Sequence, residues 1–465
     1  MSWLADSWRR LLRKRLVIAM DIVDTEPGGE ARRWPPTAAD VERLQRYEDY
    51  MKLFLGRHEE VFDPYRRPDD GPYVTTNILG AIARLAVHRL FGELAKARVK
   101  GRFEFGDSSS ELVPLAPPPR SQRTGNQALN RQQQLLDFLC QSNSWQQLCY
   151  QGALGGSYRG DTVFKVRYDA ARDAVVMEEV PPSLFFPHLA EDQQEEVVGV
   201  SLAWLLGASP GSPLSPAEAY SAEGTSRVCW LREEYHTPGR IENRLWKLTA
   251  VPGETRYLRR PAELSALEAT AHLPEVVETG LDVIPIVHIP NRKVAETGIW
   301  GQSDYADLLS LQEALNRRKT QTGSILDKHA DPLLAIDESF LDENGRLPMD
   351  RIRAIPLVQD EPPPQYVTWD GKLADSRAEA DDLVHKILLV AGISPESFGF
   401  ATGGGPESGR AIRLRQMLTT STVAGKRLLW GPGLQRLLSI ATKMFAIHVR
   451  RKRQHGLARI RPLDP

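Results

Sequence analysis

The residues in this chain that could do chemistry are a glycine run, scattered histidines and cysteines, and several arginine clusters. Gly152-Ala-Leu-Gly-Gly-Ser-Tyr-Arg-Gly-Asp161 comes closest to a phosphate-binding loop. It lacks the Gly-Lys-Ser/Thr ending whose lysine would reach the phosphates. Its flanks read helix before and strand after, whereas a phosphate loop runs from strand into helix. The ten histidines form no His-Glu-x-x-His and no pair at ligand spacing. Cys140, Cys149 and Cys229 are too few for a disulfide framework and are not spaced as zinc ligands, which fits a reduced, intracellular place of assembly. The one Gly-x-Ser-x-Gly, Gly207-Ala-Ser-Pro-Gly211, makes no nucleophile elbow, because Pro210 after the serine has no N–H for an oxyanion hole, and no convincing carboxylate pair is present. The expectation is a protein that is not an enzyme and uses no metal or cofactor.

Charge narrows the field further. Lys plus Arg is 59 and Asp plus Glu is 60, a net charge of −1, so the chain as a whole does not attract nucleic acid. Any DNA contact has to be local or weak. The basic residues are grouped at Arg317-Arg-Lys319, at Arg351 and Arg353, and at Arg450-Arg-Lys-Arg453 with Arg459 and Arg461. Such runs are most often solvated faces. No apolar run approaches the ~18 residues that span a bilayer. Near the start, Asp21 and Asp24 interrupt a short apolar run, which makes a poor signal peptide. Trp3 to Leu16 reads instead as an amphipathic surface helix.

The elements that must position these residues change character along the chain. Thr37 to Leu55 carries Val41, Leu44, Tyr47 and Met51 at helical spacing, with Gly56 as a stop. Ala81 to Leu94 and Gln127 to Gln151 also read as helices, separated by the proline-rich stretch Val113 to Gly125. The middle third is β-rich: strands are expected at 162–168, 174–180, 196–202, 227–235 and 243–250, and a buried one within Asp282 to Pro290.

In the last third, Ser303 is placed to cap a helix with Asp304 and Asp307 in its first turn and Arg317, Arg318, Lys319 and Lys328 later, an order that suits the helix dipole. A β-like insert from Leu333 to Trp369 follows, with an Asn344-Gly345 turn and a Pro362-Pro-Pro364 elbow. A second helix runs from about Ser376 to Ala391 and ends at Gly392. A loop containing Gly403-Gly404-Gly405 leads to a third helix from Ser408 to about Trp430, which Gly431-Pro-Gly433 is expected to break or kink before a last helix, Leu434 to Arg450.

Helix, small β insert, helix, glycine loop, long helix is the order of the portal, or head-to-tail connector, proteins of tailed bacteriophages, and the chain resembles that family over most of its length. Phe54-Leu-Gly-Arg-His58 is similar to a Tyr-x-Gly-x-His in the family, with a different aromatic. Asn77 to Gly92 resembles the next helix, and Gly156 to Tyr168 a glycine turn into a strand. The strongest stretches are Ile284-Pro-Ile-Val-His-Ile-Pro-Asn291, Gly301-Gln-Ser-Asp304 and Leu311-Gln-Glu-Ala-Leu-Asn316. They are followed by Ile393-Ser-Pro395, Phe398-Gly399 and Ser408-Gly409-Arg-Ala411.

The resemblance implies a mainly helical α+β subunit. It divides into a wing (1–300), a stem helix (301–330), a clip (331–373), a second stem helix (374–392), a tunnel loop (393–407), a long wing or channel helix (408–433) and a short crown and tail (434–465). It implies a closed, usually dodecameric homo-oligomeric ring in the virion at one capsid vertex, assembled in the host cytoplasm. The implied partners are double-stranded DNA passing through, the terminase large subunit, a head-tail adaptor, and the major capsid and scaffolding proteins, with no membrane. The tunnel loop would present Phe398, Phe400, Ala401, Thr402, Gly403, Gly404 and Gly405 toward DNA. Residues 393–407 carry no Lys or Arg, so they would not hold DNA by counterion release. Arg317, Arg318, Lys319 and Lys328 would line the stem channel or pair with acidic residues of the next subunit. Arg351 and Arg353 would meet a partner at the clip. Rival readings are another phage head-tail structural or adaptor protein, a sequence-specific DNA-binding protein and a DNA-processing enzyme.

Overall fold

A computed structural model of the chain describes residues 32–66, 71–92, 96–98, 102–104, 123–192, 195–206, 229–250, 256–330, 333–335, 365–367, 373–400 and 414–454. Strand β1 (Arg32–Trp34) leads to helices α1 (Ala38–Phe54), α2 (His58–Phe62) and α3 (Ile78–Phe91). Strands β2 (Lys96–Arg98) and β3 (Arg102–Glu104) pair with each other and precede helices α4 (Arg123–Ser142) and α5 (Trp145–Arg159). The β-rich part then runs through β4 (Asp161–Asp169), β5 (Ala174–Val180), β6 (Phe185–Leu189), β7 (Val197–Leu206), β8 (Cys229–Thr237), β9 (Arg240–Ala250), β10 (Tyr257–Ala262), β11 (Val276–Glu278) and β12 (Ile286–Pro290). The last third holds α6 (Leu309–Ala330), β13 (Leu333–Ala335), β14 (Gln365–Val367), α7 (Leu373–Val390) and α8 (Met417–Gln454). The fold class is α+β.

All strand pairs are antiparallel. A seven-stranded sheet has the order β1-β10-β9-β8-β7-β6, and β11 extends the edge of β9 that β10 also uses. A three-stranded sheet has the order β12-β4-β5. Period-two alternation explains how the two stack. Val163 and Ile286 point toward Phe185, Val200 and Leu202 of the larger sheet. Their neighbours Phe164, Val166, Val287 and Ile289 point the other way, into a core built from α3, α4, α5 and α8. A third core, with Leu53, Leu79, Ile82, Tyr305, Leu315 and Ile387, joins α1 and α3 to α6 and α7.

Several expectations hold. The helix expected over 37–55 is α1, and Thr37 caps it through a reciprocal pair with Asp40. β5 spans 174–180 as read from the sequence. Gly392, at φ +68°, ends α7 in the left-handed region that favours glycine.

Others are corrected. The single helix expected over 127–151 is two, α4 and α5, with Ser144 between them at φ +48°. The Asn143 amide donates to the carbonyl of Leu139 (2.9 Å) and of Val175 (3.1 Å), and its oxygen accepts from Met177 N–H (2.7 Å), so the chain leaves the helix to grip β5. The glycine turn into a strand expected within Gly156–Tyr168 is found at Gly160, φ +102°. Gly152 and Gly156 sit inside α5, where a Cβ would come within 2.5 Å of Phe164 and 2.3 Å of Thr162. Helix therefore precedes strand here, as the rejection of a phosphate loop requires. The hairpin helix starts at Leu309 and not at Ser303. Ser303 Oγ donates to Tyr158 O (2.6 Å) and accepts from Tyr305 N–H (3.0 Å), so it caps the irregular turn 304–308.

Most clearly, Gly431-Pro-Gly433 does not break the last helix: α8 continues through Pro432. Trp430, Leu434, Leu437, Leu438 and Ala441 form one buried stripe across the proline, while Pro432 itself is exposed. The carbonyl of Leu428, which loses its N–H partner, is on a solvent-facing residue. Gly433 lets the helix approach β12, since a Cβ there would stand 2.5 Å from Ile289. Burial along that stripe outweighs the ~3 kcal/mol that a mid-helix proline costs.

The amphipathic helix expected over 3–16, the Asn344-Gly345 turn and the Pro362–Pro364 elbow lie outside the described residues.

Candidate functional site

The candidate site is the hairpin of α6 and α7 and the junction at its base. Arg318 Nη2 donates to Glu379 at 2.6 Å, and the hydroxyls of Thr322 and Ser376 bond at 2.7 Å. Residue numbers rise along one helix as they fall along the other, so the two are antiparallel. At ~1.5 Å per residue, the 22 residues of α6 and 18 of α7 reach about 33 Å and 27 Å. Beyond their far ends, β13 and β14 pair through Leu333–Val367, Leu334–Tyr366 and Ala335–Gln365. The segment between the helices thus begins and ends as an antiparallel ribbon, which returns the chain beside its point of departure.

The base is fixed by two polar clusters. In the first, His58 is fully buried; its Nε2–H donates to Leu53 O (2.9 Å) and its Nδ1 accepts from the Asn316 amide (2.8 Å). Burial pushes this imidazole below its usual pKa, in keeping with the neutral form that this bonding pattern needs. Asn316 also accepts from Thr76 N–H (3.1 Å) and from Gln312 (2.9 Å). The Phe54–His58 and Leu311–Asn316 stretches, far apart in sequence, meet here.

The second cluster joins the other stretches. Asp161 accepts from Gly301 N–H (2.7 Å), Tyr47 Oη (2.5 Å) and His288 Nε2 (2.7 Å). Beside it, Asp304 accepts from Ser157 Oγ (2.6 Å), the Asn291 amide (2.9 Å) and Lys426 Nζ (2.5 Å), while Lys426 also donates to Asn291 Oδ1 (2.7 Å). Burial alone would raise the Asp304 carboxyl; the Lys426 ammonium and these hydrogen bonds outweigh it and hold the group below the usual carboxylate range. Lys426 ties α8 to the start of the hairpin. It was missed from the sequence, although a lysine at a buried step of the 419-423-426-430-434 stripe signals a buried partner.

At the near end of α7, Gly392 O accepts from Thr422 Oγ1 (2.8 Å) and Ser394 N–H donates to Thr419 Oγ1 (2.9 Å), so the first turns of α8 are held against the hairpin. Pro395–Phe398 forms a short 3₁₀ turn that packs Phe398 against the base core. Phe400 is exposed, its ring 5.4 Å from that of His385.

The sequence-predicted site residues are placed unevenly. Arg317 and Arg318 line a shallow groove with Ala314, Gln321, Glu379 and Leu383. Arg318 is spent on Glu379 within its own chain, a surface pair of small energetic weight. Lys319 is half-buried, and the side chain of Lys328 is not described. Ala401, Thr402, Gly403, Gly404 and Gly405, and Arg351 and Arg353, lie outside the described residues.

Two further polar clusters among the described residues lie between and within the sheets. Ser201, buried, donates to Glu233 (2.5 Å) and lies 2.9 Å from His188 Nε2. With its proton given to the carboxylate, the serine has the histidine as donor and not as base. On the opposite face, Glu234 accepts from Lys165 (2.5 Å) and Arg232 (2.9 Å) and ties the two sheets together.

Among the described residues, no group of His, Cys, Asp and Glu could hold a metal ion. Among them, too, no helix is long and apolar enough to cross a membrane. No family model matches the chain, and no curated protein matches it.

Proposed function

We propose that this chain is the subunit of a ring-shaped portal at one vertex of a tailed-bacteriophage capsid. Through it a terminase motor packages double-stranded DNA, and DNA later leaves toward the tail. The observation that carries the reading is the α6–α7 hairpin, closed at its far end by the β13–β14 ribbon and joined at its base through Gly392 to a helix of 38 residues lying over a sheet. On this reading the hairpin is the stem and the segment between β13 and β14 is the clip, where the motor and later a head-tail adaptor dock. The glycine-rich segment before α8 lies beside the DNA.

Two polar clusters that immobilise the hairpin base suit a part that must hold its angle while DNA moves past it. The near-neutral chain and the 393–407 segment, which carries no Lys or Arg, suit sliding over binding. The ring contributes no catalysis; ATP hydrolysis belongs to the motor. It assembles in the host cytoplasm together with the capsid and scaffolding proteins.

Sedimentation velocity on the purified chain tests the reading. A discrete species near twelve times 52.1 kDa is expected. Monomers alone at every salt concentration, or ATP hydrolysis by the purified protein, would overturn it.

A further inference from the structure

We infer that Lys426, Asn291 and Asp304 form a self-reacting triad. Lys426 Nζ displaces the side-chain nitrogen of Asn291 as ammonia, leaving an isopeptide bond between α8 and the residue that follows β12. The bond lies within one subunit and does not depend on the ring.

A buried ion pair needs only a base and an acid, but here an amide is held between them. Lys426 Nζ donates to Asn291 Oδ1 at 2.7 Å and to Asp304 Oδ2 at 2.5 Å, while Asn291 Nδ2 donates to Asp304 Oδ1 at 2.9 Å. The nucleophile thus faces the amide carbonyl, and one carboxylate touches both the nucleophile and the leaving nitrogen. With a C=O bond of about 1.2 Å, Nζ lies at most about 3.9 Å from Asn291 Cγ. Reacting atoms in a near-attack arrangement stand about 3–3.5 Å apart, so a small rotation of the lysine stem suffices. The amide itself is fixed: Asn291 N–H donates to Gly160 O (2.8 Å) and Nδ2 also donates to Gln302 O (3.1 Å). Lys426 and Asn291 are buried and Asp304 is nearly so, which keeps bulk water from the reacting carbon.

The groups present are enough to complete the reaction. Asp304 takes one proton from the Lys426 ammonium, and the freed lone pair adds to Asn291 Cγ. Asp304 then passes that proton to Nδ2. As the Cγ–Nδ2 bond breaks and the carbonyl re-forms, a second Nζ proton moves to Asp304 and on to the departing ammonia. The products are a secondary amide and an ammonium ion, and no co-reactant is consumed. The first proton transfer is uphill, because Lys426 and the surrounding hydrogen bonds favour the Asp304 carboxylate and the Arg292 guanidinium stands 3.9 Å from it. The reaction is therefore slow. Newly folded chain holds the ion pair described above, and the linked form accumulates with time.

The test is the intact mass of the full chain, freshly purified and after prolonged incubation at neutral pH, followed by proteolysis. A growing species lighter by one ammonia is expected, in which the peptide carrying Asn291 is joined to the peptide carrying Lys426. That link should survive boiling in detergent and reductant. Asp304→Asn keeps the nucleophile and the amide but removes the proton carrier, and should slow linkage by at least about a hundredfold. Lys426→Met should form no link, and circular dichroism checks the fold of each variant. The parent measurement stands on its own if a variant unfolds. A parent mass that stays unchanged, an ammonia loss that maps to another asparagine, or a folded Asp304→Asn that links as fast as the parent overturns the inference.

Discussion

Replacing Lys426 with methionine tests the junction between α8 and the hairpin. Lys426 is 3% exposed and its ammonium contacts Asp304 Oδ2 at 2.5 Å and Asn291 Oδ1 at 2.7 Å. Methionine fills nearly the same volume, so no large cavity forms, but Asp304 keeps its charge with only the Ser157 and Asn291 hydrogen bonds and the more distant Arg292 guanidinium, 3.9 Å away, to satisfy it. Removing one partner of a buried ion pair costs about 3–5 kcal/mol. At about 2.1 cal/mol/K of unfolding entropy per residue, a chain of 465 residues changes stability by roughly 1 kcal/mol per degree near its midpoint. Tryptophan-fluorescence melting at neutral pH should therefore show Tm lower by about 3–5 °C.

The pH dependence has a defined sign. In the parent, the Asp304 carboxyl lies below its unfolded value near 3.8, so its stabilisation is present at neutral pH and is lost in acid, as pH falls through the folded value. In Lys426→Met, burial acts without the counter-ion and raises the carboxyl. The deficit is then largest at neutral pH and shrinks as pH falls. Adding Asp304→Asn should recover much of the loss. A drop below about 1 °C, or a deficit that grows in acid, would refute the assignment of Lys426 as the counter-charge.

Other consequences are equally direct. In Gly301→Ala the new Cβ would stand 2.0 Å from Gly160 O and 2.8 Å from Asn291 N, backbone atoms that cannot step aside; a melting loss of about 3 °C or more is expected, and parent-like melting would contradict the packing. Pro432→Ala restores the donor for Leu428 O on an exposed helix surface and should raise Tm by up to about 3 °C, whereas a lower Tm would show that the proline is not strained there. Burial depresses His58, so the unfolded chain takes up its proton first and stability falls as pH drops below 6.5; melting from pH 7 to 5 should show a shallower decline in His58→Gln than in the parent.

Much of this architecture is legible from the sequence because local signals and tertiary packing agree there. The helix from Thr37, the strand at 174–180, the Gly392 stop and the helix–strand–helix order of the last third are all of this kind. The corrections fall where a long-range contact outvotes a local signal. Asn143 leaves its helix to satisfy β5, and Pro432 stays inside its helix because the apolar stripe runs past it. β6 was unreadable as a strand because Phe-Phe-Pro-His-Leu does not alternate; its proline is tolerated at the sheet edge. At the site, Asn291, Gly301, Asp304 and Asn316 stand out as short stretches. That the first three converge on Gly160, Asp161 and Lys426, and Asn316 on His58, depends on contacts more than one hundred residues apart in most cases, which no local pattern encodes.

Negative-stain electron microscopy of the purified chain tests the central claim most directly. The account predicts end-on views of closed rings with a central hole, and side views with a narrow projecting stem of hairpin length. A uniform field of small particles without a hole, unchanged across salt concentrations, would contradict it.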